Sequence, residues 1–194
     1  MKSLKDIQQQ YFGKHIPYSI LLSLEEWKAK RKEIIDRAKN TCEKCKEECI
    51  EGYMPTLVGS ITVERPYIWE EVEREIEIKD FYSGEVIDTY TVPDVIISFQ
   101  NDPLFAHVHH TYYLANRLPW EYPNESLLLV CHKCHLKIHQ EESIPFYQDE
   151  KQSSFKNLTP CNRCDGTGHL PQYDHVENGI CFRCNGNCFE EWID

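Results

Sequence analysis

The sequence predicts an α+β fold assembled from small modules stapled by metal. Three observations carry this. Among the 10 cysteines, Cys-x-x-Cys pairs recur at 42/45, 131/134, 161/164 and 181/184, a spacing that chelates zinc from a tight turn. Short apolar or alternating runs of strand type dominate the middle of the chain, while helical periodicity is confined to a few segments. Histidines 107, 109, 110, 132, 135 and 139 gather around the second cysteine pair.

The 194 residues suffice for one domain or two small ones. Apolar content of 41% allows a modest core, with metal helping to hold the smaller parts together. The net charge of −11 disfavours tight, non-specific nucleic-acid binding by the whole surface. A nucleic-acid enzyme of this balance must concentrate its cations locally or gain affinity from a partner. The regular cysteine spacing reads as zinc sites rather than a secreted disulfide framework. No signal-type apolar segment opens the chain, and Ile20-Leu21-Leu22 is far too short to span a bilayer. The expected compartment is the reducing cytoplasm, with no membrane partner.

Taken in order, residues 1–22 carry little pattern, and Ile16-Pro17-Tyr18 reads as extended chain or turn. Ser23-Leu24-Glu25-Glu26 reads as a capping box and predicts a helix to about Lys39. Leu24, Trp27, Arg31, Ile34, Ile35 and Ala38 approximate one face of it. The other face carries Lys28, Lys30, Lys32, Arg37 and Lys39. This most basic stretch is either a contact for the DNA backbone or a solvated helix face. Asn40 ends the helix, and Cys42-Glu43-Lys44-Cys45 forms the first knuckle.

Residues 50–105 read as an insertion. Glu70 to Ile78 is acidic, with Ile76 and Ile78 alternating with charge. Ser83-Gly84 breaks the run, and Val86 to Val92 again favours strand, which is a hairpin signature. Val95-Ile96-Ile97-Ser98-Phe99 is a candidate third strand. An acidic sheet repels DNA, so shielding, docking of a protein partner and structural embellishment are its candidate roles.

Residues 106–139 hold the chemistry. Leu127-Leu128-Leu129-Val130 predicts a buried strand leading into Cys131 and Cys134. His135 and His139 are four apart, so a helix stacks both imidazoles on one face, where they can share a metal. In a strand, His109 and His110 point to opposite faces; one can ligate while its neighbour meets a substrate. His107 and His132 are expected to make ordinary hydrogen bonds. Tyr112, Tyr113 and Trp120 are expected to pack the loop rather than to stack on bases.

This stretch resembles the HNH family of nucleases, also called His-Me fingers, with a ββα-metal core of two strands and a helix around one divalent ion. The residues that match are Val108-His109-His110, the loop Pro119-Trp120-Glu121-Tyr122-Pro123-Asn124-Glu125-Ser126-Leu127, and Cys131-His132-Lys133-Cys134-His135 through His139. The resemblance covers roughly 40–139 apart from the insertion. It implies that His110 is the general base and that His109, His135 and His139 hold the catalytic divalent ion (Mg²⁺, Mn²⁺, Ni²⁺ or Zn²⁺). The family's middle Asn usually stands where Ser126 sits here, and Asn124 comes two residues early; either Asn124 or Ser126 braces the loop bearing His110. The likeness also implies that Cys42 and Cys45 join Cys131 and Cys134 around one structural zinc, with Cys49 as an alternative ligand.

Residues 140–159 are polar and read as a linker or loosely docked segment. The tail carries Cys161-Asn162-Arg163-Cys164-Asp165-Gly166-Thr167-Gly168, a Cys-x-x-Cys-x-Gly-x-Gly repeat similar to the cysteine-rich region of DnaJ-type chaperones. A second repeat begins at Cys181-Phe182-Arg183-Cys184-Asn185-Gly186, with Cys188 in the place of the final Gly. Two repeats imply one further structural zinc on Cys161, Cys164, Cys181 and Cys184. Redox activity of the paired thiols is the competing reading. No His-Pro-Asp triplet is present, so chaperone activity does not follow.

The expected organisation is a nuclease domain over 1–145 with an acidic β insertion at about 50–105, a linker over 146–160 and a zinc module over 161–194. The expected activity is metal-dependent hydrolysis of DNA phosphodiester bonds, with Lys133, Lys137 or Arg117 near neighbouring phosphates. A neutral His suits the base role. The competing class is a non-catalytic double zinc-finger module binding nucleic acid or a protein partner.

Overall fold

The structure is a computed structural model that describes residues 2–13, 16–173, 176 and 179–192. It is mixed α+β, and it divides into two compact units, Met1–Glu48 with Leu104–Asp194, and Cys49–Pro103.

In the first unit, α1 (Leu4–Gln8), α2 (Tyr18–Ser23) and α3 (Glu25–Arg37) precede the strands. The expected capping box does not form. Ser23 is the last residue of α2, its hydroxyl donating to the Ile20 carbonyl at 2.7 Å, and the Glu26 carboxylate accepts from the Leu4 N–H at 2.9 Å. Leu24 caps α3 instead, in extended backbone and without a side-chain bond. Lys39 and Asn40 both take left-handed φ, at 50° and 51°, and end the helix there, as Asn tolerates best among non-glycine residues. Ile34 is fully buried against Leu114, Tyr122, Leu127 and Leu129. Leu24 joins Ile7 and Leu21 in a second small cluster, with Trp120 packed against it.

The basic side of α3 is partly spent inside the protein. Arg37 donates to the carbonyls of Asn124 at 2.6 Å and Leu127 at 2.9 Å, and pairs with Glu43 at 2.7 Å. Lys30 is bonded to the Asn124 side chain, and Lys32 pairs with Asp36 at 2.6 Å. The Lys30 and Arg37 contacts fasten α3 to the loop and strand that follow, a structural use for those two charges, whereas Lys32 and Asp36 pair on the exposed face of α3 itself.

The second unit is a three-stranded antiparallel sheet in the order β1 (Gly52–Val58), β2 (Ile61–Lys79), β3 (Val86–Phe99). The acidic hairpin is there, closed by a turn in which Asp80 accepts from the N–H groups of Tyr82 and Ser83. Gly84 takes φ 73° in that turn. Two details differ from expectation. Val95–Phe99 continues β3 rather than forming its own strand, because Pro93 sits within the ladder opposite Glu73 without ending it. The third strand is β1, where Tyr53, Pro55 and Leu57 pair with Pro66, Glu64 and Thr62 of β2 although the segment carries no strand-type alternation with charge.

Returning to the first unit, β4 (Ala106–His110) pairs antiparallel with β6 (Leu127–Cys131), His109 opposite Leu128 and His110 opposite Leu127. Helix α4 (His132–Glu141) follows β6 directly. The expected linker is instead folded into this unit. Strand β7 (Pro145–Tyr147) pairs in parallel with β5 (Tyr113–Leu114), and β8 (Phe155–Asn157) closes on β7. The tail is anchored on the same body: Trp192 packs against Tyr18, Tyr113 and Phe146, and Phe189, 2% exposed, meets Tyr113 at 5.4 Å. No helix among the described residues is long and apolar enough to cross a membrane.

Candidate metal centre

Three groups of side chains stand at metal-ligand spacing. The first is Cys42, Cys45, Cys131 and Cys134, whose sulfurs lie within 4.8 Å of one another. Glu43, inside the first knuckle, pairs with β6 as a strand would: its N–H donates to the Leu129 carbonyl and its carboxylate accepts from the Leu129 N–H at 2.6 Å. Cys131 ends β6 and caps α4, its sulfur accepting from the Cys134 N–H at 3.4 Å. Burial opposes ionisation of Cys42, but the N–H groups of Cys45, Cys131 and Lys44 outweigh it and lower that thiol to about 7. Cys49 is buried but stands outside the group.

The second group is Cys161, Cys164, Cys181 and Cys184, all buried and at the same spacing. The glycine positions explain the repeat. Gly166, Gly168 and Gly186 all take left-handed φ, and the Gly168 N–H points at the Cys164 sulfur at 3.3 Å. A Cβ at Gly168 would meet the Gly186 carbonyl oxygen at 2.9 Å. Cys188, standing in for the last glycine, adopts φ 72°. Its thiol donates to the Gly186 carbonyl at 3.3 Å, so it belongs to the turn and not to the ligand set. A hydrogen bond from Cys164, working against burial, lowers the Cys184 thiol to about 5. Both groups are compatible with structural zinc, which binds thiolate and closes all four positions.

The third group is His109, His135 and His139, buried, with ligand nitrogens within 4.8 Å. Strand β4 supplies the first, and one face of α4 the other two, as the i, i+4 spacing requires. Ring centroids lie 5.3 Å (His109–His135), 5.1 Å (His109–His139) and 4.8 Å (His135–His139) apart. His109 Nδ1 is buried without a hydrogen-bond partner. Such an orphan costs about 1–3 kcal/mol unless something fills the gap, and a cation among three imidazoles would fill it. Burial foremost, with mutual repulsion, lowers His109 to about 3 and holds His135 well below the usual range. Burial lowers His139 to about 4, against the pull of the Asp165 carboxylate. All three are therefore neutral near pH 7, as ligation requires.

His110 lies on the other face of β4, as alternation dictates. It is 3% exposed and boxed by aromatic rings: Trp27 stacked at 5.3 Å, Tyr113 stacked at 5.5 Å and Tyr122 edge-on at 4.6 Å. Its Nε2 lies 3.0 Å from the Pro119 carbonyl. A carbonyl only accepts, so Nε2 carries the proton and Nδ1 the lone pair. The structure thus brings His109, His135 and His139 together and sets His110 apart from them.

The loop residues divide their work. Asn124 turns to α3, donating to Glu33 at 2.7 Å and accepting from Lys30. Ser126 meets the segment that carries His110, but through its backbone: its carbonyl accepts from the N–H and hydroxyl of Thr111. Its own hydroxyl donates to Pro123 at 2.8 Å. His132 accepts from the Phe105 N–H at 3.2 Å, an ordinary bond. Arg117 pairs with Glu150 at 2.5 Å and lines a cavity of about 400 Å³ whose lining includes none of the histidines.

The tail, expected from its sequence as a separate module over 161–194, touches the histidine group. A Cβ at Gly166 would lie 3.0 Å from His139 Nδ1, and His169 sits edge-on to His107 at 4.7 Å. His107 in turn stacks on His135 at 5.1 Å. The placement of His169 directly after the first Cys-x-x-Cys-x-Gly-x-Gly repeat is the only sequence signal for this. Comparison with protein-family models, with curated proteins and with solved structures returns no match.

The buried imidazoles make stability depend on pH. His107 and His109 are lowered to about 3 and His110 to about 4, each chiefly by burial, against about 6.5 in an unfolded chain. The unfolded state binds more protons below that value, so the contribution is present above pH 6.5 and lost as pH falls toward the folded values. Each such His removes up to about 1.4 kcal/mol per pH unit. With both cysteine groups zinc-loaded and no other ion added, the urea midpoint should hold steady from pH 8 to 7 and fall from pH 6.5 to 5.5. A flat midpoint over that lower range would contradict the burial described.

Proposed function

We propose that this chain is a metal-dependent phosphodiester hydrolase of the HNH type acting on DNA. The observation that carries the reading is the gathering of one strand imidazole and two helix imidazoles within ligand distance, with His109 Nδ1 buried and unpartnered, in a strand–strand–helix arrangement. In it, His109, His135 and His139 hold one divalent ion. Bound there, such an ion polarises the phosphate and neutralises charge on the leaving oxygen. Two structural zincs on the cysteine groups fix the elements that carry the histidines.

His110 keeps the role of general base in this proposal. The Pro119 carbonyl fixes its tautomer with the lone pair on Nδ1, the form a base requires. Its burial brings its pKa down to about 4, so it stands deprotonated at neutral pH. The phosphates are met by exposed lysines of α4 and α3, such as Lys137 and Lys32. The acidic sheet of the second unit faces a protein partner, since its carboxylates repel DNA.

One observation favours a second reading, a non-catalytic zinc-stapled module that binds nucleic acid or protein. His110 is closed within the Trp27–Tyr113–Tyr122 box, where an imidazole serves equally as a core residue. Plasmid cleavage with and without added Mg²⁺ or Mn²⁺, beside His110→Ala, separates the two. The proposal expects metal-dependent cleavage by the parent and a loss of about 10²–10⁴-fold in the variant, at two retained zincs. Equal cleavage by both removes His110 from the chemistry, and no cleavage by the parent under any metal favours the binding module.

A further inference from the structure

The tail zinc group and the histidine group are separate in sequence but contiguous in space. Gly166, inside the first tail knuckle, stands against His139 with φ 81°, so a side chain there is strained in its backbone and its Cβ, 3.0 Å from His139 Nδ1, requires the ring to give by a few tenths of an ångström. Next to it, the Asp165 carboxylate accepts from Gln140 of α4 at 3.5 Å. His169, just past the knuckle, is edge-on to His107, and His107 stacks on His135. His139 therefore meets a residue inside the tail knuckle directly, and His135 meets the tail through His107, which bridges it to His169.

The tail is also not free to move off. Tyr18 donates its N–H to Asn187 Oδ1 at 2.9 Å, and a Cβ at Gly186 would press on Ser19 at 3.2 Å. Phe189 and Trp192 fill the aromatic cluster around Tyr113. A module docked this firmly acts as a wall of the site.

We propose that Gly166 and His169 are positioning residues of the histidine centre, so that the tail zinc knuckle sets how tightly His109, His135 and His139 hold their ion. This rests on the reading above that those three residues bind a divalent ion. The physical basis is that outer-shell partners fix ring orientation before the ion arrives. Losing one typically lowers metal affinity by about 10–100-fold.

The test reads binding and not cleavage. The full chain, with both cysteine groups loaded with zinc, is titrated with Co²⁺ and followed by its visible d–d bands. His169→Ala and Gly166→Ala should each weaken Co²⁺ binding by about tenfold or more while zinc stays at two per chain. His169→Phe, which keeps the edge-on ring contact, should restore most of the affinity, an outcome that general destabilisation would not give. Co²⁺ affinities of His169→Ala and Gly166→Ala equal to the parent's would overturn the proposal and leave the histidine centre standing. A parent that takes up no Co²⁺ beyond its zinc sites would overturn both.

Discussion

His135→Ala should slow the proposed metal-dependent cleavage about a thousandfold and leave the fold in place. His135 presents one of three converging imidazoles and makes none of the sulfur contacts that pin α4 to β6. Removing it opens the ion's coordination and takes away several kcal/mol of transition-state charge stabilisation. At about 1.4 kcal/mol per decade that is a rate loss of about a thousandfold. The measurement is single-turnover cleavage beside zinc content and far-UV circular dichroism. Cleavage within a factor of a few of the parent, at unchanged zinc, would show that the ion is held elsewhere. His109→Ala should behave alike in cleavage, since its unpartnered Nδ1 goes with the ring.

Cys131→Ser should have the larger effect on stability. Cys131 is 1% exposed and does three jobs at once. It ends β6, caps α4 through the Cys134 N–H, and stands among the four sulfurs of the first group. Structural zinc in small domains contributes on the order of 10 kcal/mol of apparent folding free energy, comparable to the whole stability of a domain. Leu127 and Leu129, on the same strand, carry the main core cluster. The expected result is loss of one zinc and of the cooperative thermal transition of the first unit. A variant with both zincs and an unshifted transition would contradict the assignment of Cys131. The paired change in the other direction is informative: His135→Ala should cost activity at little stability, and Cys131→Ser stability before activity.

Much of the candidate site was legible because its chemistry is local. Cys-x-x-Cys pairs and the i, i+4 histidines declare themselves by spacing, and the structure gathers each set within ligand distance. The hairpin was legible from alternation and from Gly84. What escaped depends on contacts between distant segments. Alternation put His109 and His110 on opposite faces, but nothing in the local pattern told that Trp27, from α3, would stack on His110. The capping box does not form because Ser23 is already the last residue of α2 and Glu26 accepts from Leu4 of the first helix. Lys30 and Arg37 read equally as DNA contacts or as part of a solvated helix face, and in the fold Asn124 and Leu127 accept from them. The polar run after Gln140 reads as a linker or a loosely docked segment, and in the fold Phe146 and Tyr147 find Tyr113 and Leu114 as strand partners. The same blindness hid the approach of Gly166 to His139, which no periodicity encodes.

The centre of the account is an exchangeable divalent ion on three histidines beside two fixed zincs. Calorimetric titration of Mn²⁺ into the zinc-loaded full chain tests this most directly, with the His109→Ala/His135→Ala/His139→Ala variant as reference. The account predicts one Mn²⁺ bound per parent chain and none in the variant, with two zincs retained by both. Absence of Mn²⁺ binding by the parent, or the same binding by the variant, would contradict it.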